Sequence, residues 1–245
     1  MTTVPMPSTT PLRQASVSAR HPTGAAPSRE DSAQMLLQRG DHLYKMGDPT
    51  KGVYAIRAGA IKSYTISESG DQQILGFHLT GDIIGFDGFA DGKSQSCAQA
   101  LDTSCVALVT FDQLFSTSGI QSQDLRQDVF RHISRGLNRD NELVLLLAKK
   151  TAEQRLAWFL IQLSDYLRNR GLCGTEFSLP MSRTDIANYL GLAMETVCRE
   201  FAKLKDRNIL QFERRSVIIT NTEYLRGLVD GELCSSLPPR KGVLH

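Results

Sequence analysis

Between positions 36 and 115 the hydrophobic residues fall in short runs cut by glycine turns, among them GVYAIRAGAIKSYTIS and ESGDQQILGFHLTGDIIGF. Val53-Tyr54-Ala55-Ile56 and Ile61-Lys62-Ser63-Tyr64-Thr65-Ile66 alternate with a period of two, the mark of strands with one face turned inward. A Gly-Asp pair recurs at 40–41, 47–48, 70–71 and 81–82. Glycine supplies the positive φ of a tight turn, and aspartate bonds back onto the turn's own backbone. Short strands joined in this way predict a small barrel or jelly roll, with residues 111–118 as a short helical exit.

Beyond the strands the period becomes helical. Leu125, Val129, Ile133, Leu137, Asp140, Val144 and Leu147 follow one another at spacings of four and three over residues 122–148, a helix about 40 Å long at 1.5 Å per residue. A barrel alone does not need so long a stripe. It predicts a seam between two copies of the chain, the alternative being a helix packed on its own barrel. Asp140 interrupts the stripe, so in a dimer two carboxylates would face each other across the axis. Close like charges destabilise, which would leave the dimer weak and dependent on a signal or on DNA. A second amphipathic helix follows over residues 151–171 with Leu156, Phe159, Leu160, Leu163 and Leu167 inward. A break at 171–174 then leads to a short strand at Phe177-Ser178-Leu179.

Residues 184–205, TDIANYLGLAMETVCREFAKLK, give two short helices around a tight turn. Ile186, Ala187 and Leu190 form the stripe of the first, Gly191 the turn, and Val197, Phe201 and Leu204 the stripe of the second. Ser182 or Thr184 can cap the first helix. Met194, Glu195, Cys198 and Arg199 are left on the opposite face of the second helix, at its N-terminal end. A helix-turn-helix presents this end to base edges in the major groove, where glutamate accepts from cytosine and arginine donates twice to guanine. An ordinary surface αα-hairpin with mixed charges has the same spacing. Residues 209–220 then read as a hairpin with Arg214 and Arg215 at its tip, where a wing uses arginine on phosphate and a solvated turn is the alternative. Arg183, Thr196 and Lys203 complete the set of candidate DNA-contacting side chains.

Composition narrows this picture. The chain of 245 residues is long enough for two domains, and 41% hydrophobic residues is ordinary for a globular protein. No run approaches the ~18 apolar residues of a membrane span, and MTTVPMPSTTPLRQ has no apolar core for a signal peptide, so the expected location is the cytoplasm with no membrane partner. Five scattered cysteines, at 97, 105, 173, 198 and 234, suit reduced thiols better than a disulfide framework. Residues 1–32 hold five of the nine prolines and almost no large apolar groups, which predicts a disordered tail; from 228 an irregular tail is expected. Residues 33–119 carry six Lys and Arg against nine Asp and Glu, whereas residues 120–245 carry nineteen against fifteen. An acidic front and a mildly basic back are compatible with DNA contact at the back. No Ser-His-Asp set, paired-carboxylate cleft, P-loop or metal spacing stands out, so an enzyme is not expected. The rival classes are a ligand-binding module without a DNA role and an effector-binding dimer that acts through protein contacts.

Over nearly all of residues 36–225 the chain resembles the CRP/FNR family of bacterial transcription regulators, and most of all its FNR branch. The likeness rests on GVYAIRAGAIKSYTISESGDQQILGFHLTGDIIGFD, LLLAKKTAEQRLAWFL and MSRTDIANYLGLAMETVCREFAKLKDRNIL. It implies an α+β fold: an N-terminal cyclic-nucleotide-binding-type β-roll over 33–119, a dimerisation helix over 120–150 and a C-terminal winged helix-turn-helix over 151–227. In the family a Glu and an Arg four residues on read the core of each half-site, which falls here on Glu195 and Arg199. Cys198 stands where the branch has Ser. Ala193 stands where the family often has a Ser or Thr N-cap, a loss of ~1 kcal/mol locally. The implied partners are a second copy of the chain, double-stranded DNA of the type TTGAT-N4-ATCAA, and RNA polymerase touched by β-roll loops such as residues 90–93. The implied role is an activator of genes for low oxygen, respiration or nitrogen-oxide use.

The resemblance offers three signals. Oxygen-sensing FNR proteins hold a [4Fe–4S] cluster on three cysteines near the N-terminus and one in the β-roll. This chain has no cysteine before Cys97, and Cys105 lies two residues from the β-roll ligand position, at Ala107. No cluster is therefore expected. The cyclic-nucleotide branch needs an acidic residue and an arginine after the GDIIG strand. Phe86 occupies the acidic position and no arginine lies between Arg57 and Arg126, so cyclic AMP is not expected. What is left is a FixK-like, cluster-free member without cofactor or metal, controlled by supply, proteolysis or a thiol. Cys198, beside Arg199 at the positive end of a helix, is the candidate redox residue: its oxidation would set negative charge against DNA phosphate, whereas a tolerated Ser replacement has no redox role. His42 and His78 are candidate ligands for a haem or nitric-oxide sensor, although lone histidines in a β-roll are more often structural.

Overall fold

A computed structural model describes residues 34–115 and 120–231, with no side chains described for 120–125. The tail expected over 1–32, and residues 232–245 of the tail expected at the other end, with Cys234, lie outside the described residues.

Among the described residues eight strands build the front half: β1 Gln34–Leu37, β2 His42–Tyr44, β3 Gly52–Ala58, β4 Ala60–Ile66, β5 Gln72–Leu79, β6 Ile83–Ile84, β7 Cys97–Ala100 and β8 Ser104–Thr110. They pair antiparallel in two four-stranded sheets, ordered β1-β8-β3-β6 and β2-β7-β4-β5. The sheets enclose Leu37, Ile56, Ile61, Ile84, Ala98 and Val106, the inward positions of the alternating pattern. The Gly-Asp pairs make the turns. Asp41, Asp48 and Asp82 each accept from the backbone N–H three residues earlier, at Gln38, Lys45 and Leu79, over 2.8–2.9 Å. The glycines before them have φ near +90°, which a Cβ would penalise.

Helix α1, Phe111–Phe115, leads to α2, Ile120–Lys149. The back half follows as α3 Ala152–Arg168, β9 Glu176–Ser178, α4 Arg183–Tyr189, α5 Met194–Asp206, β10 Leu210–Glu213, β11 Ser216–Ile219 and α6 Thr222–Asp230. A capping box starts α3, with Thr151 and Gln154 satisfying each other's backbone N–H. Leu156 and Leu160 of α3, Ile186 of α4, Val197, Phe201 and Leu204 of α5, and Leu225 of α6 are fully buried together. The sheet order β10-β11-β9 adds Phe177 to the hairpin as a third strand. The irregular tail expected from 228 is corrected in its first residues: α6 runs on to Asp230. Its last carbonyls accept from the Lys150 ammonium at Val229 and the Gln154 amide at Leu228, partners invisible in the local pattern.

The stripe on α2 divides in two. Val129 is buried and Ile133 half-buried against Val53, Val109 and Leu114 of their own β-roll. Phe130, Leu137 and Val144, seven residues apart, are 61–68% exposed. The reason is geometric: at 100° per residue each step of four advances the stripe by about 40°, so a run of fours winds off one face while a spacing of seven nearly returns to it. Of the residues expected in a seam, Leu137, Asp140 and Val144 are exposed. Ile133 is half-buried against its own β-roll, and Leu147 is half-buried beside the Gly191 turn. Phe130 belongs to the exposed line and was missed.

Candidate nucleic-acid interface

The sequence builds the helix pair by ordinary local chemistry. Ser182 caps α4: its hydroxyl accepts from the Asp185 N–H at 3.0 Å, and the Asp185 carboxylate accepts from the Ser182 N–H at 3.0 Å. Gly191 turns the chain at φ +61°, and the Leu192 N–H closes on the Ala187 carbonyl at 2.9 Å. Ala193 occupies the N-cap of α5 without a side-chain cap. The Arg155 guanidinium, which sequence reading missed, donates to Leu190 O at 3.0 Å, Leu147 O at 2.9 Å and Lys150 O at 3.0 Å. It thereby joins the end of α2 to the helix-turn-helix turn. With Gly191 O at 3.4 Å, four carbonyls converge on one guanidinium and leave no periodic signal in the chain.

On α5 the face opposite Val197, Phe201 and Leu204 is open. Met194, Glu195, Cys198 and Arg199 are exposed, as their spacing implied, and Thr196 is half-buried. Arg199 is 63% exposed at its side chain and only loosely held, by the Thr196 hydroxyl at 3.4 Å and a Glu200 oxygen at 3.7 Å. Such an arginine gives up little on turning to a base edge. Met194 Sδ lies 3.4 Å from the Thr184 hydroxyl, across the turn.

Glu200 was missed. It is 3% exposed, and one oxygen accepts from the Lys203 ammonium at 2.8 Å while the other has no hydrogen-bond partner among the described residues. Its spacing of three from Val197 and four to Leu204 puts it on the buried side, a signal that was available. Lys203 is thus committed to Glu200. Arg183 stacks its guanidinium 3.5 Å above the Phe201 ring and 5.5 Å from Phe212, and burial lowers its pKa, with Cys198 opposing. The two wing arginines separate. Arg214 forms the tip, with φ +52° and an exposed side chain, whereas Arg215 leans 3.9 Å from Asp102 of the β-roll.

The candidate ligand positions in the β-roll are occupied by protein groups. His42 Nε2 shares a hydrogen bond with the Tyr64 hydroxyl, and His78 Nε2 with the Ser63 hydroxyl, both at 2.8 Å. Burial, then Arg139, pushes the His78 pKa down to about 3. After β6, the Asp87 carboxylate accepts from the Gln95 N–H at 3.0 Å and the Ser96 hydroxyl at 2.7 Å. Among the described residues no three His, Cys, Asp or Glu side chains converge on one point, and no helix is long and apolar enough to cross a membrane.

Comparison with known proteins places this geometry. Residues 34–117 match the cyclic nucleotide-binding domain and residues 154–228 the Crp-like helix-turn-helix domain. The chain is 46% identical over 189 residues to electron transport regulator A of Shewanella oneidensis, covering 77% of this chain and 75% of that one. It is 45% identical over 192 residues to the fumarate and nitrate reduction regulatory protein of Escherichia coli, covering 78% and 76%. The solved structure of FixK2 from Bradyrhizobium japonicum matches 80% of this chain and 96% of its own at 32% identity, with a TM-score of 0.70.

These relatives correct one expectation, that of a chain without a cofactor. Identity of 45–46% to fumarate and nitrate reduction regulators sets the chain in the branch whose oxygen-sensing members hold a [4Fe–4S] cluster, so a cofactor-free state does not follow from its kinship. That expectation rested on where the cysteines fall, none of them before Cys97, and on Phe86 and the lack of an arginine between Arg57 and Arg126. The described thiols by themselves do not form a cluster site: Cys97 is buried on β7, Cys105 half-buried on β8, and Cys173 and Cys198 are exposed in the back half. A cluster needs convergent thiolates.

Proposed function

We propose, because the chain belongs to the CRP/FNR family of transcriptional regulators, that it binds as a homodimer to an FNR-like palindrome of the type TTGAT-N4-ATCAA and activates transcription from it. Its helix-turn-helix domain is a DNA-binding domain. The observation that carries the finer reading is the face of α5. Glu195 and Arg199 stand exposed one helical turn apart, on a helix whose other side is fully buried. Glu195 accepts from cytosine N4 and Arg199 donates to guanine, which together read a TGA core. Arg214 takes backbone phosphate. The two-fold of the dimer answers the two-fold of the palindrome, with half-sites about one helical turn apart. Loops such as residues 90–93 touch RNA polymerase. Names such as electron transport regulator and fumarate and nitrate reduction regulatory protein favour target genes in respiration, low-oxygen growth and nitrogen-oxide use.

A fluorescence-anisotropy titration tests this. Protein purified without air, with iron and acid-labile sulfide assayed on the same sample, should bind the palindrome at least a hundredfold more tightly than a scrambled duplex. Equal affinity for both sinks the reading. Repeating the titration after peroxide, on wild type and Cys198→Ser, reads the thiol: loss in the first but not the second assigns a switch to Cys198.

A further inference from the structure

The first helix of the reading unit is held by the β-roll as well as by its own domain. Strand β5 is the outer strand of the sheet ordered β2-β7-β4-β5, and an outer strand leaves a row of unpaired N–H and C=O groups. Asn188, near the end of α4, completes that row. Its side-chain oxygen accepts from the Ile74 N–H at 2.6 Å, and its side-chain nitrogen donates to Gln72 O at 2.7 Å. The amide thus pairs with β5 as one residue of a neighbouring strand would. In return, the Gln73 side chain donates to the Asn188 carbonyl at 3.1 Å.

A second grip sits one turn earlier. Lys62, on the outer face of β4, meets the Asp185 carboxylate at 2.7 Å, with both side chains under one-fifth exposed. Asp185 is also the partner of Ser182 in the capping box, so the residue that starts α4 anchors it to the β-roll. Next to Asn188, Tyr189 packs edge-on to Phe77 of β5, with ring centres 5.2 Å apart, and both meet Phe159 of α3. On the other side, α4 ends at the turn that Arg155 ties to α2. The helix-turn-helix is therefore fixed both to the helix that carries the exposed apolar line and to the sheet beside it.

We propose that Lys62 and Asn188 are positioning residues for DNA recognition: by holding α4 against β4 and β5 they set the angle and separation of the two recognition helices, and so the spacer length the dimer accepts. This rests on the dimer-and-palindrome reading above. A dimer has one geometry for two half-sites, and adding or removing a base pair both lengthens and rotates the site. A held reading unit selects one spacer, whereas a loosely tethered one accommodates several.

The full chain is titrated with duplexes carrying the same half-sites separated by two, four or six base pairs. Wild type should prefer the four-base spacer at least tenfold. In Lys62→Met with Asn188→Ala that preference should collapse to within about threefold, while Lys62→Arg retains it. A purely destabilising effect would weaken binding to all three duplexes by the same factor, and an unchanged spacer ratio overturns the inference. A wild type that binds all spacers and the scrambled duplex equally overturns the palindrome reading and this inference with it. Amide exchange gives a measure independent of DNA. The Ile74 N–H, protected in wild type, should exchange at least tenfold faster in Asn188→Ala and in Lys62→Met. An unprotected Ile74 in wild type means the contact is not made in solution and also overturns the proposal.

Discussion

Helices α2 and α5 each bury one side and leave the other bare, but they leave different chemistry bare. On α5 the open side carries Glu195, Cys198 and Arg199 over a core of Val197, Phe201 and Leu204. On α2 the open side carries Phe130, Leu137 and Val144, each more than 60% exposed, with Asp140 among them. Polar groups with loose partners can exchange water for base edges at small cost. An apolar line along a helix has no such use for water and lowers its free energy by pairing with an equivalent line. On the proposed reading, the contrast separates a face for a polar, charged partner from a face for a second copy of the chain.

The largest test of that contrast is Leu137→Glu. A dimer would bury two unpaired carboxylates near its axis, costing roughly 3–5 kcal/mol, so sedimentation should find a monomer where the wild type dimerises. An unchanged dimer would remove α2 from the interface. Next is Arg199→Ala, which should weaken specific DNA binding by ~1–3 kcal/mol and relax discrimination at one base of each half-site; a uniform loss on all sequences would make Arg199 a phosphate contact. Asp140→Ala acts in the opposite sense to Leu137→Glu. Relief of like charges across the axis should tighten the dimer by ~1 kcal/mol, and an unchanged dissociation constant would show that the carboxylates do not meet. The last effect lies away from both faces and is read on stability, not on association. His78 stays neutral in the fold because its pKa is held near 3, below its unfolded value of about 6.5. Between those values the unfolded chain binds the extra proton, so stability rises with pH by at most about 1.4 kcal/mol per unit. That stability is lost as pH falls below about 6.5. His78→Gln should flatten the fall in Tm between pH 7 and pH 5; an identical slope would place the titration elsewhere.

Much of this was legible in the chain. Alternation over 53–56 and 61–66 gave β3 and β4, and the four Gly-Asp pairs gave the turns of the two-sheet roll. The spacing of Ile186, Gly191, Val197, Phe201 and Leu204 gave the helix pair with its core side correct. The open face of α5 followed by subtraction. The split of α2 was less legible, because a mixed three-and-four spacing fits two faces at once and only the β-roll's position assigns Val129 and Ile133 to one of them. Glu200 shows that charge misleads where spacing does not.

Periodicity and turn chemistry act between residues a few places apart, so the sequence by itself determined the elements, their order and the side of each helix that faces a core. Contacts between residues on different elements, most of them far apart in the chain, carry no period. The capture of the β5 edge by Asn188, the Lys62–Asp185 pair, the Arg155 tie from α2 to the Gly191 turn, and the lean of Arg215 toward Asp102 were decided only by the tertiary structure. There a donor finds whichever acceptor the folded chain brings within reach, and in the first three cases partial burial leaves it little water to take instead.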